Sequence, residues 1–244
     1  MEASVLQIFR YLLLDWHRFN HHKNLWILRN RKQFSQVADK MLRAGKRTDF
    51  ENVPFHDLSF TVFDLETTGF FPKIGDEVIS IGAVKINLNH ISFPEQFYEV
   101  VRPVKMPSKQ IRELTGLSAS QIKSGKPFPS AMLNFLDFSR HTILVAHPAS
   151  FDVHFLYELA KRWGLPPYLP RAVDSYELAN YIFPGEKNSL DQLILKLEVE
   201  NKLRHHALND AFMTAEIFSK LMDELKNRGI HTLKEYKEAR AHKK

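Results

Sequence analysis

The stretch LSFTVFDLETTGF, Leu58 to Phe70, decides the fold. Its first half, Leu58–Phe63, is almost entirely apolar or β-branched and predicts a buried strand. The run ends in Asp64 and Glu66. Residues two apart on a strand share a face, so two carboxylates stand side by side at the end of a core strand. Each repels the other and loses hydration there. Something positive is missing from the sequence at that point, and other segments of the chain indicate what.

At 244 residues, 44% hydrophobic and 25% charged, the chain has the size and composition of one soluble globular domain, with or without an appendage. It contains no cysteine, which excludes disulfides, thiolate zinc sites and cysteine nucleophiles and fits a reducing compartment. No apolar run reaches the roughly 18–20 residues of a membrane span. The apolar N-terminal stretch is interrupted by Arg10 and Asp15 and lacks a small-residue cleavage site, unlike a secretory signal. The expectation is a cytoplasmic protein with no membrane partner. The net charge of +6 is carried by the first 50 residues, which hold ten Lys/Arg against four acids, while the remainder balances at 24 of each. Such a basic segment suggests an anionic partner, nucleic acid before membrane, with a solvated helical face as the equal alternative.

Val5, Phe9, Leu12, Leu13 and Trp16 fall at helical spacing, as do Phe34, Val37, Met41 and Leu42; they predict two amphipathic helices. AGKRTDFENVP, Ala44–Pro54, reads as a linker. The expected divisions are a basic helical extension and linker over 1–54, a main domain over 55–228 and a basic tail over 229–244. Within the main domain DEVISIGAVKI (76–86) and ISFPEQFYEVVRP (91–103) read as further strands joined by NLNH, an antiparallel three-stranded start. A helix around 130–138, the short strand TILVAH, a helix from about 151, the strand PRAVDS, and helices in YELANYI, LDQLILKL and 207–226 follow. Hairpins followed by β-α-β crossovers predict an α/β domain with a mixed sheet.

Carboxylates recur at the element ends. LVAHPASFDVHFL puts Asp152 just past a strand at a helix start, and RHHALNDAFMTAEIF puts Asp210 in the first turns of the final helix, with His205 and His206 upstream. Ligand sites in α/β sheets lie at strand ends, so convergence there would unite four carboxylates and a histidine. Hard oxygen ligands without cysteine suit Mg²⁺ or Mn²⁺ rather than zinc. Two such ions would bridge a phosphodiester oxygen, generate a hydroxide and stabilise the leaving oxyanion, with a histidine as general base.

In order, FDLETTG, VAHPASFDVHFL and HHALNDAFMTAEIF resemble the three motifs of the DEDDh 3′–5′ exonucleases, the family of the epsilon proofreading subunit of bacterial DNA polymerase III, RNase T and oligoribonuclease. The resemblance spans roughly Leu58–Leu221 and leaves the first 50 residues unexplained. It implies a ribonuclease-H-like fold, a five-stranded mixed sheet between helices, here with an N-terminal helical extension. It implies Asp64, Glu66, Asp152 and Asp210 as catalytic ligands of two Mg²⁺ or Mn²⁺, and His205 as general base. It further implies Thr67, Thr68, Gly69, Phe70, Thr115 and Phe151 as substrate contacts, Thr115 through the ELTGL segment. Gly69 is expected to permit a positive φ or a close backbone approach. The implied substrates are single-stranded DNA or RNA 3′ ends, DNA favoured and RNA the alternative, with a DNA polymerase subunit as the implied partner. A third reading is a non-catalytic nucleic-acid or polymerase binding module; it has no use for five intact catalytic residue types.

Two points separate the residues from the motif. His147-Pro148 stands where family members often carry His-Asn, so a contact made by that amide is lost. Helical spacing favours His206, four residues before Asp210, whereas the resemblance favours His205, five before, on a loop leading into the helix; the register of Ala207, Asp210 and Ala211 selects His205.

Overall fold

The computed structural model describes residues 4–44, 50–88 and 90–242. Residues 45–49 of the expected linker, Asn89 of the expected turn and the final Lys pair lie outside the described residues. Three N-terminal helical segments come first: α1 (Val5–Arg10), a π-helical turn over Tyr11–Asp15 running into α2 (Trp16–Arg29), and α3 (Arg31–Ala44). Then follow β1 (Ser59–Thr67), β2 (Val78–Asn87), β3 (His90–Arg102), α4 (Lys109–Thr115), α5 (Ala119–Ser124) and β4 (Lys126–Pro127). The chain continues through α6 (Phe128–Phe138), β5 (Ile143–Ala146), α7 (Ala149–Trp163), β6 (Ala172–Asp174) and α8 (Ser175–Ile182). It closes with α9 (Leu190–Lys196), α10 (Ala207–Asn227) and α11 (Leu233–Ala241).

The sheet is mixed and runs β4-β3-β2-β1-β5-β6. The hairpins β1–β2 and β2–β3 are antiparallel, and β1–β5 and β5–β6 are parallel. To the five strands of the ribonuclease-H-like arrangement it adds the two-residue β4, parallel to the end of β3. Alternation along β1 explains why the sheet is covered on both sides. Phe60 and Val62 enter one core with Leu193, Ile217, Phe218 and Leu221. Phe63 and Leu65 enter the other with Phe135, Phe155 and Leu159. A strand buried on both faces has no polar side to spare, so the acids that follow must serve some other end.

The N-terminal helices pack on the main domain. Phe19, Val37 and Met41 are buried in the same core as Phe63 and Phe135. Phe19 and Trp26 meet Trp163 of α7 edge-on at centroid distances of 5.5 and 5.6 Å. Ser130 of α6 donates to Gln33 of α3, and Lys40 pairs with Asp137. The segment expected as a basic tail forms α11, whose Tyr236 is buried 5.4 Å from Tyr181. Its approach is tied to residues 51–55 by the Pro54–Thr232 bridge and by Phe55 N–H donating to the His231 carbonyl. Buried aromatic and aliphatic residues anchor the basic N-terminal extension and the basic C-terminal segment to the domain.

If the N-terminal helices share the domain's core, Met41→Ala should destabilise the whole protein by about 2–5 kcal/mol. Urea unfolding followed by tryptophan fluorescence and by circular dichroism should give one shifted midpoint. An early melt of the extension with the main transition unmoved would contradict the shared core.

Candidate active site

β1 delivers Asp64 and Glu66 on the face it shares with Phe60 and Val62. The helix covering that face is α10, whose Phe218 meets Phe60 at a centroid distance of 5.0 Å. Its start lies directly on β2. A Cβ built on Gly82, the residue opposite Asp64 in the ladder, would stand 2.2 Å from the Ala207 carbonyl carbon and from the Leu208 nitrogen. Only glycine permits this backbone-to-backbone approach. It brings Asp210, in the first turn of α10, onto the end of β1. One carboxylate oxygen from each of Asp64, Glu66 and Asp210 then lies within 4.8 Å of the others.

Asp152 arrives from the opposite layer, in the first turn of α7 just beyond β5, and is buried. Hydrogen bonds from the Leu65 backbone and from its own tie it to the stretch of β1 between Asp64 and Glu66. Burial, followed by Asp152, Glu66 and Asp210, pushes the Asp64 carboxyl well above its usual range; Arg204 opposes the shift. Burial, then Asp210, raises Glu66 to about 8, again against Arg204. Asp152 is likewise raised, by burial and then by Glu66, against those backbone bonds. The opposing cation, Arg204, donates from Nε to Asp191 Oδ1 at 2.7 Å and pairs with Asp210. Arg204 thus offsets part of the charge of Asp64, Glu66 and Asp210.

The two histidines part company. His206 is the N-cap residue of α10, and its ring stacks on Tyr98 at 4.6 Å and 18°. His205 is exposed, sits in the left-handed region at φ 61°, and donates its backbone N–H to Asp210 Oδ2 at 3.1 Å. A helix-face placement beside Asp210, the geometric case for His206, is thus taken up by ring stacking.

The expected substrate residues divide as well. Thr67 Oγ1 donates to the Gly69 carbonyl at 2.7 Å, and Thr68 Oγ1 donates to Asp76 Oδ1 at 3.1 Å while accepting from Glu77 N–H. Both hydroxyls shape the loop after β1 instead of projecting from it. Gly69 serves as a close approach, since a Cβ there would lie 2.4 Å from Asp76 Oδ2. Phe70 is exposed, its ring 6.2 Å from that of Phe151. Thr115 is not brought to this group as a donor: it is buried at the end of α4, with its hydroxyl given to the Ile111 carbonyl at 2.9 Å. At the departure from the motif, His147 is fixed by Ser175 Oγ and the Asn188 carbonyl, both at 2.9 Å, and Pro148 is the N-cap of α7.

The donor set fits a divalent cation. It is all carboxylate oxygen, and Glu66 and Asp210 are buried, with Arg204 as the cation paired to Asp210. Ligands of this hardness suit Mg²⁺ or Mn²⁺. Residues that the motif reading missed are Gly82, Arg204 and Asp76. Gly82 carried a signal, a glycine inside an otherwise apolar strand. Arg204 adjoins the histidines, but nothing in its spacing points inward.

Sequence and fold comparisons identify relatives of the chain. The family described as Exonuclease (RNase_T) matches residues 61–218. Over 177 residues the chain is 39% identical to a DNA polymerase III PolC-type of Caldanaerobacter subterraneus subsp. tengcongensis, covering 72% of this chain and 12% of that protein. It is 33% identical over 186 residues to the 3'-5' exonuclease DinG of Bacillus subtilis, covering 75% of this chain and 20% of that one. The chain thus spans a small fraction of these relatives. The nuclease domain of 3'hExo, a DEDDh family member, bound to rAMP, superposes with a TM-score of 0.63 at 18% identity, covering 71% of this chain and 94% of that one.

The raised carboxyls fix the sign of a pH effect. Glu66 holds its proton to about 8 when folded against an ordinary 4.5, so its contribution to metal-free stability is complete below about 4.5 and is lost as pH rises through about 8. In chelator the melting temperature should fall across that window, and Glu66→Gln should flatten the fall. A metal-free stability that rises with pH in both proteins would reverse the assignment.

Gly82→Ala should push α10 off β2 and carry Asp210 with it. Calorimetric titration with Mn²⁺ should record a loss of affinity of about tenfold or more; unchanged affinity would mean that the helix start is not what sets the cluster.

Proposed function

The chain belongs to the RNase_T family of exonucleases, and on that footing we propose that it is a metal-dependent 3′–5′ exonuclease acting on single-stranded nucleic-acid ends. The observation that carries the reading is the convergence of Asp64, Glu66 and Asp210 oxygens within 4.8 Å, from strand and helix starts far apart in the chain. Asp152, buried and hydrogen-bonded to β1 beside them, completes a four-carboxylate set. Two Mg²⁺ or Mn²⁺ ions held by this set would neutralise the scissile phosphate and activate water.

The protein's own groups supply the rest. Asp64, Glu66 and Asp210 are held by the β1–β2 ladder and the seated helix start, so little reorganisation accompanies the reaction. His205 takes the proton from the attacking water as that oxygen bonds to the terminal phosphorus. The bond from phosphorus to the penultimate 3′ oxygen then breaks, and that oxygen takes a proton from solvent, which leaves a nucleoside 5′-monophosphate and a shortened strand with a new 3′ hydroxyl. An exposed residue on a loop can approach the water and withdraw after each turnover, which His206, stacked on Tyr98, cannot. Phe70 and Phe151 form an apolar edge suited to a terminal base or sugar. Relatives named as a DNA polymerase III and a 3′–5′ exonuclease favour DNA as substrate and a polymerase as partner.

A 5′-labelled single-stranded DNA oligomer should be shortened stepwise from its 3′ end with Mg²⁺ or Mn²⁺, more efficiently than the matched RNA, and left intact with chelator. His205→Ala should slow single-turnover cleavage by about 10²–10⁴-fold with Mn²⁺ affinity little changed, and His206→Ala should do much less. Cleavage persisting in chelator would overturn the metal role, and a larger loss from His206→Ala would transfer the base to that residue.

A further inference from the structure

The geometry points to the N-terminal helices as a brace for the loop that receives the 3′ nucleotide, with Arg162 as the positioning residue that couples them. This rests on the exonuclease reading above. The N-terminal helices lie outside the family match, which spans residues 61–218, and Arg162 and the loop lie within it.

The loop from Thr68 to Asp76 leaves the end of β1 carrying Gly69 and Phe70, and Asp76 holds it in shape. Its Oδ1 accepts from the Thr68 hydroxyl at 3.1 Å and its Oδ2 from Phe71 N–H at 2.9 Å. The Asp76 N–H and the Ile74 N–H both return to the Phe71 carbonyl. Asp76 is in turn held from below. Arg162, near the end of α7, donates from Nη1 to the Asp76 carbonyl at 2.8 Å and to the Pro72 carbonyl at 3.4 Å.

Residues of the N-terminal helices cover what remains of Arg162. Its guanidinium carbon lies 4.1 Å from the Phe19 ring centroid and 5.8 Å from that of Tyr11. Tyr11 also caps the turn itself: Gly75 has φ +110°, and a Cβ there would stand 2.9 Å from the Tyr11 ring. Asp15 pins the same helix to the domain through Lys105 Nζ at 2.7 Å. Tyr11 and Asp15 bound the π-helical turn, where an added residue per turn re-aims the side chains that follow. Buried Glu77 lies beside Arg162 and accepts from the Val104 and Lys105 N–H groups. The brace therefore has aromatic rings on one side and a carboxylate on the other. Shielded from water, the Arg162 bonds to loop carbonyls are stronger than the same bonds in solvent.

Asp64, Glu66 and Asp210 stand on β1 and α10, outside this chain of contacts, and Asp152 sits in the first turn of α7, tied to β1 at Leu65 and at the opposite end of the helix from Arg162. Loosening the brace should therefore change the seating of the 3′ end and leave the metal site as it is. Tyr11→Ala and Arg162→Met in the full chain test this. Each should raise KM for a short single-stranded DNA oligomer by about tenfold, equivalent to about 1.4 kcal/mol, with kcat within about twofold and Mn²⁺ affinity by calorimetry unchanged. Arg162→Lys should recover only part of the loss, because an ammonium cannot both stack on the rings and fork to two carbonyls. Independently of cleavage, hydrogen exchange at Phe71 and Ile74 should quicken in Tyr11→Ala while β1 stays protected. A kcat loss at constant KM, or unaltered KM and exchange in folded variants, would overturn the brace. A wild type that cleaves nothing would instead overturn the exonuclease reading, and exchange alone would then decide the brace.

Discussion

Four carboxylates held at the end of a core strand repel one another, and much of the architecture serves to hold them there. Left to themselves they would separate into water, where each is hydrated and ionised. Packing prevents it. Phe60 and Val62 on one face and Phe63 and Leu65 on the other lock β1 between two cores, so Asp64 and Glu66 have no freedom to swing out. Burial and mutual repulsion lift the Asp64, Glu66 and Asp152 carboxyls above their usual range. The cluster is a stored demand for positive charge, met in part by Arg204 and suited to be met in full by divalent cations.

The second requirement is that α10 touch the sheet. It fills one core along its length with Ile217, Phe218, Leu221 and Leu225, and apolar burial of that size drives the contact. The distance of closest approach is set by Gly82 alone. Carboxylate geometry and core packing thus meet in one backbone contact, and the exposed, left-handed His205 stands just before the N-cap of the seated helix.

The parts of the site that lie on regular elements were legible in the sequence. Alternation along Ser59–Thr67 placed Asp64 and Glu66 on one face, and the boundaries around Asp152 and Asp210 put both at helix starts. The roles of Thr67, Thr68 and Thr115 were not legible, because a hydroxyl serves a substrate or its own loop equally well in a sequence. Arg204 was hidden for the same reason: a basic residue's partners are fixed by folding, here Asp191 and Asp210. The docking of the two terminal segments escaped charge counting, since the buried Phe19, Met41 and Tyr236 anchor it and a count of lysines and arginines does not register them.

The order in which the site's parts occur along the chain has a further bearing on biosynthesis. Asp64 and Glu66 are made early, Asp152 follows, and Asp210 comes near the end of the matched segment, on a helix that can be seated only after the sheet it covers exists. Contacts between such distant residues close late in folding, because the intervening loop entropy must first be overcome. A partly synthesised or partly folded chain therefore holds an incomplete carboxylate set. The acidic cluster, and any cation it would bind, belongs to the completed fold and to none of its parts.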